Sequence, residues 1–219
     1  MIEQTPPKRA RVRSGGGGRG AFQAGALEHL ESSGWRPDII VGTSIGSMNA
    51  AVYAVGSIGI EDNQHWDGAV MYNSPLRPAI DAEAEEILMV LLSPYHKLEE
   101  NDPRPMVQRS ALPPRPRGLI GGVGYVLDLA LIGTFENDFE ELRKVNRRVR
   151  QGQGQHAADH HEVRCAVIAP DDWISPLDII RYGPKRGNEL RAMGRQAARQ
   201  AFQRIDRLGW DSLYHIDET

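Results

Sequence analysis

Short, uninterrupted apolar runs recur along the chain and alternate with stretches in which apolar residues follow a helical period. The runs are Ile39–Val41, Ile87–Leu92 and Val163–Ala169. Strands that are apolar throughout are typical of a parallel sheet covered on both faces. The alternation therefore predicts an α/β fold, a three-layer α/β/α arrangement with a mostly parallel central sheet.

Helical patterns separate and follow these runs, and glycines mark several of their ends. The predicted helices span Gly20–Ser33, Ser44–Val55, 122–151 and 188–208. Glycine follows the first three at Gly34, Gly56 and Gly152, as is common just past a helix C-terminus. In the long helix at 122–151, acidic residues precede basic ones, which suits the dipole of its second half.

The size and composition fit one globular domain covering residues 1–219. Hydrophobic residues make up 40% of the chain and charged residues 25%, which are ordinary values for a soluble protein. The net charge of −3 gives the molecule no overall electrostatic attraction to nucleic acid. The Pro/Arg-rich segment 93–118 is predicted to be a solvated connecting loop rather than a membrane-touching lid.

The cysteine content and the first residues of the chain indicate the cellular compartment of the protein. The single cysteine, Cys165, excludes an internal disulfide and lies in an apolar run, so we expect a buried structural thiol. Residues 1–8 are polar and lack the apolar core of a signal peptide, and no run approaches the roughly 18 apolar residues of a membrane span. A cytoplasmic protein is predicted, with contact at a membrane surface left open.

Residues 42–46 form a G-x-S-x-G motif, directly after an apolar run and before a predicted helix. A serine at the tip of such a strand-to-helix turn exposes its hydroxyl, and the helix N-terminus stabilises negative charge beside it. Side chains at Gly42 and Gly46 would collide in so tight a turn. The context favours Ser44 as a nucleophile over a purely structural turn.

A glycine-rich loop, residues 15–20, lies between a predicted strand and the first helix. Its backbone N–H groups can converge on an anion, either a nucleotide phosphate or the oxyanion of acyl transfer. A Walker loop ends in Gly-Lys-Ser/Thr, whereas this loop ends in Arg-Gly-Ala. A G-x-G-x-x-G match is weak because no acidic residue ends a convincing second strand. An oxyanion hole is the better interpretation.

Together with the Asp67-Gly68 pair, these motifs resemble the patatin-like phospholipases, whose pattern is a G-G-G-x-R-G loop, G-x-S-x-G and a later D-G-G/A. The resemblance implies a lipid acyl hydrolase that uses a Ser–Asp dyad and no cofactor or metal, with a phospholipid or another carboxylic ester as substrate. Ser44 would be the nucleophile and Asp67 its base. The oxyanion donors would be the N–H groups of Gly16, Gly17, Gly18 and Ile45, and the supporting motif residues are Gly15, Arg19, Gly20, Gly42, Gly46 and Gly68.

The chain departs from the family pattern in two places. Arg11 and Arg13 stand where the family's first strand is apolar, which leaves both a central and an edge position open for that strand. Ser44 and Asp67 are only 23 residues apart, whereas family members place a far longer block there. The fold is therefore expected to be a shortened version, with a shallow cleft that prefers short or soluble esters.

The short link can still join the two residues. A helix of 12 residues from Ser44 to Val55 carries the chain away by about 18 Å. The return segment 56–66 spans up to about 36 Å when extended. We therefore expect the Asp67 carboxylate near hydrogen-bonding reach of the Ser44 hydroxyl.

Rival interpretations concern the histidines and the possibility of lost activity. A Ser-His-Asp triad could draw on His65, or on His160 and His161 beside Asp159, but none has a recognisable triad setting. The polar stretch His156–His161 has helical metal-ligand spacing, yet a solvated loop is the better interpretation. The remaining alternative is an inactive relative that binds a membrane surface or a protein through its basic segments.

Overall fold

In the part of the chain that the structure describes, four parallel strands form one sheet. The computed structural model describes residues 6–50, 76–95, 139–140, 142–152, 162–180 and 183–210. The strands are β1 (Arg9–Arg13), β2 (Ile39–Gly42), β3 (Glu86–Val90) and β4 (Arg164–Ile168), in the order β2-β1-β3-β4. All three neighbouring pairs are parallel, so the predicted parallel sheet is confirmed.

Helices follow the strands, as an α/β fold requires. They are α1 (Gly20–Ser32), α2 (helical residues 45–50), α3 (Leu76–Asp81), α4 (helical residues 139–140 and 142–150) and α5 (Pro184–Leu208). The helix predicted to start at residue 188 starts four residues earlier, because Pro184 has no N–H to lose in the first turn. The six-residue helix α3 was not predicted, since it is too short to show a period.

The predicted ends of the first and third helices are confirmed by left-handed glycines. Gly34 has φ 74° after α1, and Gly152 has φ 61° after α4. Residues 51–55 and 122–138 of the predicted helices lie outside the described residues, as does most of the loop predicted at 93–118. No helix in the described part of the chain is long and apolar enough to cross a membrane.

Each face of the sheet carries its own apolar core. Alternate strand residues such as Val12, Ile87 and Val167 pack with α3 and α4 on one face. The intervening residues, among them Leu88 and Ile168, pack with α1 and α5 on the other face. This three-layer arrangement is the one predicted for a patatin-like α/β/α fold.

Two buried arginines occupy the central strand β1. Arg11 and Arg13 are both fully buried, and Arg13 pairs with Gly42 of β2 on one side and Val90 of β3 on the other. Strand β1 therefore lies inside the sheet and not at its edge. The local apolar pattern could not decide between the two positions, because a guanidinium group enters a core only when the surrounding fold compensates its charge.

Cys165 is a structural thiol, as predicted. It lies in β4 with no exposed surface, and burial raises the pKa of its thiol far above the ordinary range. Since the thiolate is the reactive form, this cysteine is held in its unreactive state.

Helices α1 and α5 cross with their backbones almost in contact. A Cβ added at Gly25 would collide with the Arg191 backbone, and one added at Gly194 would collide with the Phe22 carbonyl. At the rim of this crossing, Glu28 accepts hydrogen bonds from Arg191 and from Arg195. The Arg191 hydrogen bond is the main cause that lowers the pKa of Glu28.

Replacing Glu28 is expected to give a pH-dependent loss of stability. Because the pKa of Glu28 is lowered in the folded state, its contribution is present above the unfolded-state pKa and is lost as the pH falls through the folded-state pKa. Glu28→Gln should lower the free energy of unfolding at pH 7 by less than about 1 kcal/mol, since the pair is partly exposed. The deficit should vanish in acid. Urea unfolding at several pH values measures this difference in stability, with Glu31→Gln on the same helix as the control. A difference that grows in acid would show that the Glu28 carboxylate does not stabilise the fold through its ion pairs.

Candidate functional site

Ser44 lies on a sharp turn between β2 and α2. Its φ of 52° is in the left-handed region, which is uncommon for a residue other than glycine. The side chain is exposed, and the following residues 45–50 are helical. The turn is held by the Thr43 N–H, which donates to the Arg13 carbonyl at 3.1 Å. A strained, exposed serine at this junction is the geometry of a nucleophile elbow.

The two glycines of the motif are required by close backbone contacts. A Cβ at Gly42 would lie 2.6 Å from the Gly46 carbonyl carbon. A Cβ at Gly46 would lie 2.8 Å from the Arg13 carbonyl oxygen and 2.9 Å from that of Ser14. These neighbours are backbone atoms and cannot turn aside, so helix α2 can approach β1 only through glycine.

The glycine-rich loop follows β1 directly and tightens into a short 3₁₀ turn, Gly17–Arg19, that runs into α1. Gly16 has φ 156° and Gly17 has φ 56°. The first N–H groups of a helical turn have no partner within the turn. Gly17 and Gly18 lie in this turn and Gly16 directly precedes it, and anion binding by their N–H groups stays a prediction. The buried Arg19 donates through Nε to the Gly16 carbonyl at 3.4 Å.

The sheet register brings the loop and the elbow to the same edge. Arg13 pairs with Gly42, so the glycine loop and Ser44 both leave the sheet just past this pair. A Cβ at Gly20 would collide with the Ile45 side chain, which shows how closely α1 and α2 approach. Ile45 begins α2, so its N–H also has no partner within the helix. The carboxyl ends of parallel strands are the common location of active sites in such folds.

A second support for the loop was not predicted from the sequence. The 3₁₀ turn Pro176–Ile179 packs against it, and a Cβ at Gly17 would lie 2.5 Å from the Ile179 carbonyl oxygen. This turn is tied to α5 by the buried Asp178, whose carboxylate accepts from Arg186 at 2.8 and 2.9 Å. The same hydrogen bond raises the pKa of Arg186. The contacts join segments about 160 residues apart, and no local sequence pattern signals them.

Two amide side chains that the sequence analysis also missed join the parts of the site. Gln23 of α1 donates to the Ser14 carbonyl at 2.6 Å. Asn49 of α2 donates to the Gly20 carbonyl and to Gln23 Oε1, both at 3.1 Å.

The remaining predicted site residues lie outside the described part of the chain. Asp67 and Gly68 fall in the segment 51–75, so the Ser44–Asp67 distance stays a prediction. His65 falls in the same segment, and the predicted loop at His156–His161 falls within 153–161. Among the described residues, no group of three or more histidine, cysteine or acidic side chains is placed to hold a metal ion.

The fold and the site define an α/β protein whose parallel sheet carries a serine elbow beside a glycine-rich loop. Residues 12–61 match the family model described as patatin-like phospholipase. A segment of 43 residues is 54% identical to a lysophospholipase, nte1, of Aspergillus terreus. That segment is 20% of this chain and 3% of the relative, so the chain spans only a small part of the curated relative.

The matched family segment contains both the glycine-rich loop and the serine elbow. Over these residues the matches confirm the resemblance to the patatin-like phospholipases that the motifs predicted. The family match ends at residue 61, before Asp67.

The steric role of Gly46 can be tested against a glycine in open space. Gly46→Ala should lower the free energy of unfolding by about 1–3 kcal/mol, because the new methyl group forces α2 away from β1. In α5, the methyl group added by Gly187→Ala meets nothing within 4 Å. This substitution should therefore raise the free energy of unfolding by about 0.5–1 kcal/mol, because alanine favours a helix over glycine. Chemical denaturation measures both variants. Equal effects of the two substitutions would show that the close approach at Gly46 does not constrain the fold.

Proposed function

We propose that the protein hydrolyses carboxylic esters of lipids, with Ser44 as nucleophile and Asp67 as base. The observation that carries the proposal is the exposed Ser44 at φ 52°, held at the sheet edge beside the glycine-rich loop. Support for lipid hydrolysis at the level of the family comes from the patatin-like match and the lysophospholipase relative.

The reaction proceeds in two steps. The Ser44 hydroxyl attacks the ester carbonyl while its proton passes to the base, and the carbonyl oxygen becomes a tetrahedral oxyanion. N–H groups of Gly16, Gly17, Gly18 and Ile45 stabilise that charge, and the loss of one such donor typically costs about 3 kcal/mol of transition-state stabilisation. Collapse releases the alcohol, which takes the proton. Water then attacks the acyl-enzyme, releasing the fatty acid and restoring Ser44.

The assignment of Asp67 as the base comes from the family pattern and is compatible with the length of the linking segment. A carboxylate removes a proton from an alcohol efficiently only when the pair is partly desolvated. Segment 56–66 is long enough to return the chain to Ser44, so the short link does not by itself prevent a dyad.

The proposed substrate class follows from the short link between Ser44 and Asp67. The family pattern places a longer block between nucleophile and base, and its absence removes part of the wall over the acyl group. We therefore propose short-chain or soluble esters and lysophospholipids as better substrates than long-chain diacyl phospholipids.

An activity probe tests the nucleophile without requiring the physiological substrate. A fluorophosphonate should label the parent protein and should not label Ser44→Ala, because only an activated hydroxyl reacts. Ser32→Ala, which removes an exposed hydroxyl at the end of α1, should label like the parent. Equal labelling of the parent and Ser44→Ala would refute the assignment. Vesicle binding that survives Ser44→Ala, with no turnover by the parent, would support the inactive binding module.

The base is tested by removing its charge. Asp67→Asn should reduce turnover of a soluble p-nitrophenyl ester by at least about 100-fold, the lower range for general-base catalysis, with the circular dichroism spectrum unchanged. Replacing His65, or His160 and His161 together, should change the rate by less than about twofold if those side chains take no part in proton transfer. A histidine variant as inactive as Asp67→Asn would indicate a triad.

A further inference from the structure

Two side-chain amides connect the two halves of the candidate site. Gln23 is fully buried in the second turn of α1, and its Nε2 donates to the carbonyl of Ser14, the residue before the glycine loop. Asn49, on α2 five residues after Ser44, donates to Gln23 Oε1 and to the carbonyl of Gly20 at the end of the loop. The amides therefore contact both ends of the glycine loop and the helix that carries the nucleophile.

The orientation of each amide is fixed by its partners. The Ser14 and Gly20 carbonyls can only accept, so each must face an NH₂ group. That places Gln23 Oε1 towards Asn49, whose Nδ2 then uses its two hydrogens on Gln23 and Gly20. Ser14 is in turn anchored to the sheet, since its N–H and its hydroxyl both donate to the Val90 carbonyl, at 3.2 and 3.4 Å.

A buried amide in this position needs an explanation. Gln23 lies among the apolar residues Phe22, Ala26 and Leu27 at the α1 surface that packs on the sheet. An apolar residue of similar length could fill that space without the cost of burying a polar group. The amide provides a directional link that an apolar side chain cannot.

The link acts together with a steric contact. The absence of a side chain on Gly20 lets Ile45 approach, and this contact sets how near α2 can come to the loop. The Asn49 hydrogen bonds oppose separation of the same two segments. The spacing between the serine and the oxyanion donors is therefore limited in both directions.

We propose that Gln23 and Asn49 are positioning residues, which hold the glycine loop at the distance from Ser44 that oxyanion stabilisation requires. The inference rests on the proposed ester hydrolysis. Neither amide touches the substrate; both act through the backbone of the loop and of α2. A displacement of about 1 Å between such groups lowers a rate on the order of 100-fold. The donors act mainly on the transition state, so kcat should fall while KM stays nearly constant.

The test uses variants that keep side-chain size and remove the hydrogen bonds. Gln23→Met, Asn49→Leu and the double variant are compared with the parent by steady-state hydrolysis of p-nitrophenyl butyrate and by thermal unfolding. The matched control is Asn146→Leu. Asn146 is also a buried amide with two hydrogen bonds, to the Val163 N–H and carbonyl at 2.9 and 2.8 Å. It lies on α4, however, and Val163 directly precedes β4, at the edge of the sheet opposite the site.

The expected pattern separates positioning from stability. Gln23→Met and Asn49→Leu should each lower kcat between about 10- and 100-fold with KM within about twofold. The kcat of the double variant should be little lower than that of the less active single variant, because each substitution breaks the same hydrogen-bonded link. Asn146→Leu should lower the melting temperature as much as either and leave kcat unchanged.

A titratable variant supplies an independent readout. In Gln23→Glu, the protonated carboxyl can donate to the Ser14 carbonyl, whereas the ionised form cannot and is repelled by it. The ratio of variant to parent activity should therefore fall as the pH rises through the pKa of the new carboxyl. Gln23→Met should show a ratio that does not vary with pH.

The outcomes distinguish this inference from the function on which it rests. If the parent shows Ser44-dependent hydrolysis but the amide variants keep kcat, or lose it only in parallel with Asn146→Leu, the positioning role is overturned and the hydrolase remains. If the parent shows no Ser44-dependent hydrolysis, the proposed function is overturned and the positioning role with it.

Discussion

The backbone of α2 lies so close to the carboxyl end of β1 that no side chain fits between them. Gly46 meets the Arg13 and Ser14 carbonyls, and Gly42 meets the first turn of α2. This contact forces the chain to reverse sharply after β2, and the reversal gives Ser44 its left-handed backbone and its exposed side chain. Because β1 continues directly into the glycine loop, the same contact places that loop beside the serine.

The supports of this arrangement come from both distant and nearby parts of the chain. Within residues 9–50, the amides of Gln23 and Asn49 link α1, α2 and the loop. From the far end of the sequence, the Asp178–Arg186 pair fixes the turn whose Ile179 carbonyl lies against Gly17. The serine elbow and the glycine-rich loop are thus assembled by residues 9–50 and held from outside by α5. This segment contains the described part of the family match, residues 12–50.

Much of the framework could be predicted, because its signals are local. The apolar runs of β2, β3 and β4 and the glycine after α1 reflect burial and backbone conformation that each segment determines alone. The central position of β1 could not be predicted, since the burial of Arg11 and Arg13 depends on their long-range surroundings. In the site, the motifs indicated Ser44 and the loop, whereas Gln23, Asn49 and Asp178 act through contacts that no spacing in the sequence reveals.

Covalent catalysis by Ser44 is most directly tested by trapping its acyl-enzyme. The protein is mixed with p-nitrophenyl butyrate, quenched in acid within the first turnovers, digested and analysed by mass spectrometry. We expect a butyryl group on the peptide that contains Ser44, absent from the Ser44→Ala variant, because deacylation follows a discrete covalent intermediate. A butyryl group on another residue that forms at the rate of turnover, with Ser44 unmodified, would contradict it.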